Sequence, residues 1–216
     1  MEPRRRLDKK YMRLYAVTDR SWVGEKTLYE QVKDALDNGV TCVQLREKDL
    51  VESSFIEEAK EIAALCKQYD VPFIVNDNVN VAIACSADGI HLGQDDMDPL
   101  YVRSIVGEDM IIGVSTHTVE EAILAKEKGA DYIGIGAVFK TSTKGNVTAI
   151  SYEVIKSICD VIDIPKVAIG GVNKENISVL RGSGIDGVAV ISAIFGADDI
   201  GKATKELNII TKELFL

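Results

Sequence analysis

Short, continuously apolar runs alternate with amphipathic stretches from one end of this 216-residue chain to the other. The runs cover 14–18, 41–45, 73–76, 89–92, 111–114, 132–135, 166–169 and 187–191, and each reads as a β-strand apolar on both faces. Between them, 27–38, 53–69, 118–128 and 151–160 have helical periodicity, and 202–215 reads as a closing helix. Strands without an exposed polar face suit a parallel sheet covered by helices. Eight such strands, each followed by a helix, predict an α/β protein built as a single (β/α)8 TIM barrel, ahead of a doubly wound open sheet. Neither a low-complexity linker nor a shift in composition interrupts the pattern. One domain over 1–216 is therefore expected, with 1–12 as a basic leader at its periphery.

An internal echo supports the barrel. Ser86-Ala87-Asp88-Gly89-Ile90, Gly129-Ala130-Asp131-Tyr132-Ile133 and Gly184-Ile185-Asp186-Gly187-Val188 share one form, a small helix-ending residue, an Asp and then a strand. Asn38-Gly39-Val40-Thr41-Cys42 is a looser copy. These copies open the second, fourth, sixth and eighth strands, so the repeating unit is a pair of βα units. Turn preference for Gly and Asp accounts for each copy alone, but less readily for their regular recurrence.

Barrels of this kind carry their active sites at the C-terminal ends of the strands. Polar and glycine-rich residues should then follow the strands, as they do here. The most informative stretch is Gln44-Leu45-Arg46-Glu47-Lys48, at the end of the second strand. Alternation along a strand puts Gln44, Arg46 and Lys48 on one side and Leu45 and Glu47 on the other. Two converging cations and an amide call for an anion; a charged strand end dissolving into a surface loop is the plainer account. Asp77, and either Asp95 or Asp96, leave the adjacent third and fourth strands, where two carboxylates suit Mg²⁺. Gly170-Gly171 and Ile191-Ser192 follow strands seven and eight, the usual place for a phosphate in such barrels. The long connection 139–150 carries Thr141, Ser142, Thr143 and Lys144 before Gly145, in the manner of a lid over phosphates or of an ordinary polar loop.

Composition narrows the chemistry further. A net charge of −9 argues against a general nucleic-acid surface, although a local cluster of cations can sit in an acidic protein. No apolar stretch approaches the roughly 18 residues of a membrane span, and no apolar signal core follows the Arg-rich start. The four cysteines lie scattered in apolar segments without metal-ligand spacing, which fits a reduced, cytoplasmic setting. His91 falls within a strand and reads as a packed residue, whereas His117 lies in a loop at the active end and is placed to meet substrate. Tyr15 and Trp22, near the first strand, are candidates to wall a heterocycle, with core packing equally open.

Taken in order, Gln44–Lys48, Asn76-Asp77, Gly93-Gln94-Asp95-Asp96, Gly113-Val114-Ser115, Thr141–Lys144, Ala168–Val172 and Ile191-Ser192 resemble thiamin phosphate synthase over nearly the whole chain. That family joins an aminopyrimidine methyl diphosphate to a thiazole ethyl phosphate and releases diphosphate. The resemblance implies that Gln44, Arg46, Lys48 and Asn76 bind the pyrimidine diphosphate and that Asp77 and Asp96, not Asp95, hold Mg²⁺. It implies that Ser115 and Lys144 contact the pyrimidine substrate, and that Thr141, Thr143, Gly171, Ile191 and Ser192 hold the thiazole phosphate. Asn78 and Lys140 depart from the family, many members of which carry Arg and Pro there.

The family mechanism implies that diphosphate leaves first and that the thiazole nitrogen captures a pyrimidine methyl cation. Arg46, Lys48, Lys144 and Mg²⁺ would supply the electrostatic part, Ser115 would assist at the pyrimidine, and the two phosphate sites would align the rings. A thiazole tautomerase-like paralogue would not need the diphosphate set. A sugar-phosphate epimerase or decarboxylase would need an acid–base pair inside the barrel, and a non-catalytic thiazole-phosphate sensor could dispense with the two Asp. The expected partners are small molecules, with no nucleic acid and no membrane, and a homo-oligomer is compatible with this composition.

Overall fold

The continuous burial of each strand requires cover on both faces, and here the sheet closes on itself, with helices outside and side chains inside. The computed structural model describes residues 7–140 and 149–215. In order, the chain forms β1 (Leu14–Val17), α1 (Leu28–Asp37), β2 (Cys42–Leu45), α2 (Glu52–Gln68), β3 (Phe73–Asn76), α3 (Val79–Ala84), β4 (Gly89–Leu92) and α4 (Pro99–Val106). It continues with β5 (Ile111–Thr116), α5 (Val119–Glu127), β6 (Tyr132–Gly136), α6 (Tyr152–Val161), β7 (Lys166–Ile169), β8 (Gly187–Val190), α7 (Ser192–Phe195) and α8 (Ile200–Phe215). The strands pair in parallel in sequence order, and β8 returns to β1, closing the barrel. The helices begin where short polar side chains cap free N–H groups. Thr27 and Glu30 form a reciprocal capping box on α1, and Asp98, Thr118 and Ser151 cap α4, α5 and α6.

The echo along the chain has a physical cause. Asp88, Asp131 and Asp186 stand just before β4, β6 and β8, and their carboxylates accept the Phe73, Ile112 and Lys166 N–H groups at 2.9, 2.8 and 2.9 Å. Each Asp thus pins the start of the odd strand preceding it. In the looser copy Thr41 takes the same position, and its Oγ1 accepts the Leu14 N–H at 2.9 Å. Two residues earlier in each copy, Gly39, Ser86, Gly129 and Gly184 all have positive φ, which ends the preceding helix.

Two expectations need correction. Residues 1–6 lie outside the described part; of the rest of the expected leader, Asp8, Lys9 and Lys10 are exposed, but Met12 is not peripheral. Met12 is fully buried and joins Tyr15, Val17, Cys42, Ile74, Tyr132, Val167 and Ala189 in the cluster inside the barrel. An apolar side chain is needed there because the strand N-termini leave the barrel floor open. Also, β7 is followed by a 3-10 turn, Ile177–Leu180, and not by an α-helix. The Asn173 side chain accepts the Glu175 and Asn176 N–H groups, and Gly182 and Gly184 turn the chain back at positive φ, leaving room for little more than one turn. No helix among the described residues is long and apolar enough to cross a membrane.

Candidate active site at the barrel mouth

At the C-terminal end of the strands a cavity with about 890 Å³ of empty space, including open solvent, is lined by residues from all eight strand ends. Of the residues singled out from sequence, Gln44, Arg46, Asn76, Ser115, His117, Gly171, Ile191 and Ser192 meet on its wall. Lys48, Asp77 and Asp96 stand on the loops around the mouth and do not line the cavity itself. Thr141, Thr143 and Lys144, with the other residues from 141 to 148, lie outside the described residues. Tyr15 and Trp22 are not on the wall. Tyr15 is buried below it in the barrel, and Trp22 is 41% exposed.

The pentapeptide at the end of β2 divides as alternation requires. Gln44 is buried, and its Nε2 donates to the Tyr15 hydroxyl at 2.8 Å. The Thr18 hydroxyl accepts the Arg46 N–H at 3.0 Å, fixing the backbone where the strand ends. The Arg46 guanidinium reaches the Asp19 carboxylate at 3.3 Å. Burial raises the Asp19 pKa, but hydrogen bonds from Ser21, with Arg46 and Lys48 nearby, outweigh it and hold the carboxyl below its ordinary value. On the opposite side Glu47 takes Arg20 at 2.9 and 3.0 Å, and Arg20 also reaches Glu58 at 2.7 Å. Burial, opposed by Arg20, leaves the Glu47 carboxyl above its usual value, so this group belongs to the scaffold.

Asp77 and Asp96 follow neighbouring strands whose ends are in register, Asn76 opposite His91. Asp77 adopts a φ of 61°, with its N–H bonded to the His91 carbonyl at 2.9 Å. Asp96 folds its loop by accepting the Gly93 N–H at 2.6 Å through Oδ2. Asp95 makes no comparable bond among the described residues. Oxygen donors of this kind suit a hard cation. Asn78 caps α3 by accepting the Val81 N–H at 3.0 Å, so a short polar side chain has a local use at this position.

Gly170 and Gly171 are needed for two reasons. Both have positive φ, at 102° and 65°, and a Cβ on Gly171 would come within 2.4 Å of the Lys140 carbonyl. The β7 loop is therefore held tightly against 137–140, where Ile169 and Gly170 accept the Val138 and Phe139 N–H groups. Ile191 and Ser192 follow β8 and open the single turn of α7.

The residue that sequence reasoning undervalued is His91. It is 8% exposed and lines the cavity; its Nδ1 lies 2.9 Å from the Tyr132 hydroxyl and its Nε2 lies 2.9 Å from Ser115 Oγ. Tyr132 in turn meets Tyr15, hydroxyl to hydroxyl, at 2.8 Å. Burial drives both tyrosine pKa values far up, so both stay neutral hydroxyls. The sequence does carry one sign of this packing. A Cβ on Gly113 would fall 2.1 Å from the Tyr132 ring, so the glycine before Val114-Ser115 makes room for it. None of the four cysteines is a nucleophile in waiting, and burial pushes the Cys66 thiol up to about 12.

Known proteins resemble this chain along most of its length. The sequence profile described as thiamine monophosphate synthase matches residues 14–194. A thiamine-phosphate synthase of Clostridium tetani is 45% identical over 195 residues, covering 90% of this chain and 93% of that protein. One from Pyrococcus abyssi is 44% identical over 203 residues, 94% of this chain and 96% of its own. The solved structure of a thiamine phosphate pyrophosphorylase from Pyrococcus furiosus superposes with a TM-score of 0.89 at 40% identity, covering 96% of this chain and 99% of that one.

Proposed function

Since the chain belongs to the thiamine monophosphate synthase family of transferases, we propose that its barrel mouth joins an aminopyrimidine methyl diphosphate to a thiazole ethyl phosphate and releases diphosphate. The observation that carries this reading is the meeting of Gln44, Arg46, Asn76, Ser115, Gly171, Ile191 and Ser192 on one cavity wall. Arg46 and Asn76, with Lys48 from the rim, form the cationic and amide side and receive the diphosphate. The Gly170-Gly171 and Ile191-Ser192 loops, across the mouth, offer backbone N–H groups to the thiazole phosphate. Holding each substrate by its phosphate aligns the two rings and leaves no need for a covalent nucleophile.

Asp77 and Asp96 would hold Mg²⁺, consistent with their oxygen donors and their place on adjacent strand ends. Bound there, the ion neutralises the charge of the leaving diphosphate. Arg46 and Lys48 add to that neutralisation, and Lys144 is assigned the same task. Ser115 contacts the pyrimidine, whose methylene carbon is captured by the thiazole nitrogen once diphosphate has gone. Purified protein given both substrates and Mg²⁺ is expected to release diphosphate in step with the coupled product, and to release little with the pyrimidine substrate alone. Absence of product with both substrates and excess Mg²⁺ would overturn this reading.

A further inference from the structure

A line of hydrogen bonds crosses the barrel just beneath the cavity and begins and ends on its wall. It runs from Gln44 Nε2 to the Tyr15 hydroxyl at 2.8 Å, on to the Tyr132 hydroxyl at 2.8 Å, to His91 Nδ1 at 2.9 Å, and from His91 Nε2 to Ser115 Oγ at 2.9 Å. Tyr15 and Tyr132 are 1% and 0% exposed, so no solvent competes for their hydroxyls. Each hydroxyl has one proton to donate, and a neutral imidazole donates from one nitrogen and accepts at the other. The direction set at one end is therefore imposed on every group up to the other end.

The amide N–H of Gln44 is a donor, so the Tyr15 oxygen accepts and its proton goes to Tyr132. Tyr132 then donates to His91 Nδ1. His91 carries its proton on Nε2 and donates it to Ser115 Oγ. Two groups remain for the cavity: the Ser115 hydroxyl proton, as a donor, and Gln44 Oε1, which takes no bond from any described residue, as an acceptor. We infer that Tyr15, Tyr132 and His91 are positioning residues that fix opposite hydrogen-bond polarity on the two walls, and so select a 4-aminopyrimidine over its 4-oxo counterpart. An aminopyrimidine offers ring nitrogens as acceptors and an exocyclic amine as donor, matching a donating Ser115 and an accepting Gln44. The 4-oxo ring has nearly the same shape but replaces the amine with a carbonyl and protonates the neighbouring ring nitrogen. It thus meets Gln44 Oε1 acceptor to acceptor, and a buried mismatch of this kind discriminates strongly.

This inference rests on the pyrimidine assignment above, but its first test does not. Nitrogen-15 NMR of the free wild-type protein should show His91 as the neutral tautomer protonated at Nε2; a proton on Nδ1 would reverse the line and overturn the inference. The second test measures binding of the aminopyrimidine methyl diphosphate, its 4-oxo analogue and inorganic diphosphate. Wild type should prefer the amino form, and Tyr132→Phe should reduce that preference about tenfold, the scale of one lost hydrogen bond, while leaving inorganic diphosphate binding unchanged. Tyr15→Phe supplies the same comparison if Tyr132→Phe does not fold. An unchanged preference in a folded variant refutes the polarity argument. If wild type bound inorganic diphosphate but neither pyrimidine, the functional reading would fail, and the tautomer would still be decided by the first test.

Discussion

Asp96 and Asp95 are adjacent, equally acidic in sequence and both exposed, yet only Asp96 is fixed in the fold, by the Gly93 N–H on its Oδ2. Asp96→Asn keeps an oxygen for that N–H and removes the charge, so it separates loop closure from cation binding. We expect Asp96→Asn to lower turnover on the order of 100-fold, against little change for Asp95→Ala, in steady-state assays across a Mg²⁺ titration. Comparable losses in both would reject Asp96 as the ligand. Asp19 offers a second test at this scale. Its folded pKa lies below the ordinary 3.8, so its contribution to stability is complete above that value and is lost as the pH falls through and below it. Urea unfolding should show a shallower acid decline for Asp19→Asn than for wild type between about pH 5 and about pH 2. Parallel curves would mean that Arg46 and Ser21 do not hold the carboxylate in solution.

At the scale of elements, the strands were legible because burial on both faces leaves a run that is apolar without alternation. The regular recurrence of Asp88, Asp131 and Asp186 was legible too, although its reason, a carboxylate pinning the preceding strand, joins residues 15 to 20 positions apart and shows only in the fold. Helices α3 and α4 were harder to read. One has six residues, and the other buries Arg103 while exposing Leu100, Tyr101 and Ile105, which blurs the helical pattern. That buried arginine ranks the repeated acids. Asp131 bonds both the Ile112 N–H and Arg103, at 2.8 and 2.6 Å, whereas Asp88 pins a strand alone. Asp131→Ala should therefore cost about 3 kcal/mol or more, because it strands a buried cation, and Asp88→Ala only about 1–2 kcal/mol. Equilibrium denaturation decides the ranking; equal costs would show that Arg103 is satisfied by its backbone carbonyls.

Across the whole molecule the barrel divides its labour between two ends, and the difference in legibility follows that division. Residues at the mouth announce themselves because charges and glycines after apolar strands have few other uses. The Gln44–Tyr15–Tyr132–His91–Ser115 line did not, because its members come from five strands and the three that join Gln44 to Ser115 read as ordinary packing in their own segments. Nor did the floor, where Met12 sits in a segment whose charges suggest a solvated leader. The two ends should respond oppositely to mutation. Met12→Ala empties a fully buried position at the floor, and a cost of about 2–5 kcal/mol is expected for such a cavity. Molecules that remain folded should keep kcat/KM within about twofold, since Met12 is not among the residues that line the cavity. Lys48, exposed on the rim, makes no described hydrogen bond. Lys48→Ala should leave the unfolding midpoint unchanged and raise KM for the pyrimidine diphosphate about tenfold or more, as loss of a charge-assisted contact would. Unfolding and kinetics measured on the same preparations test both halves. A Met12→Ala protein that is stable but inactive would show that the floor controls the mouth and that the two ends do not act separately.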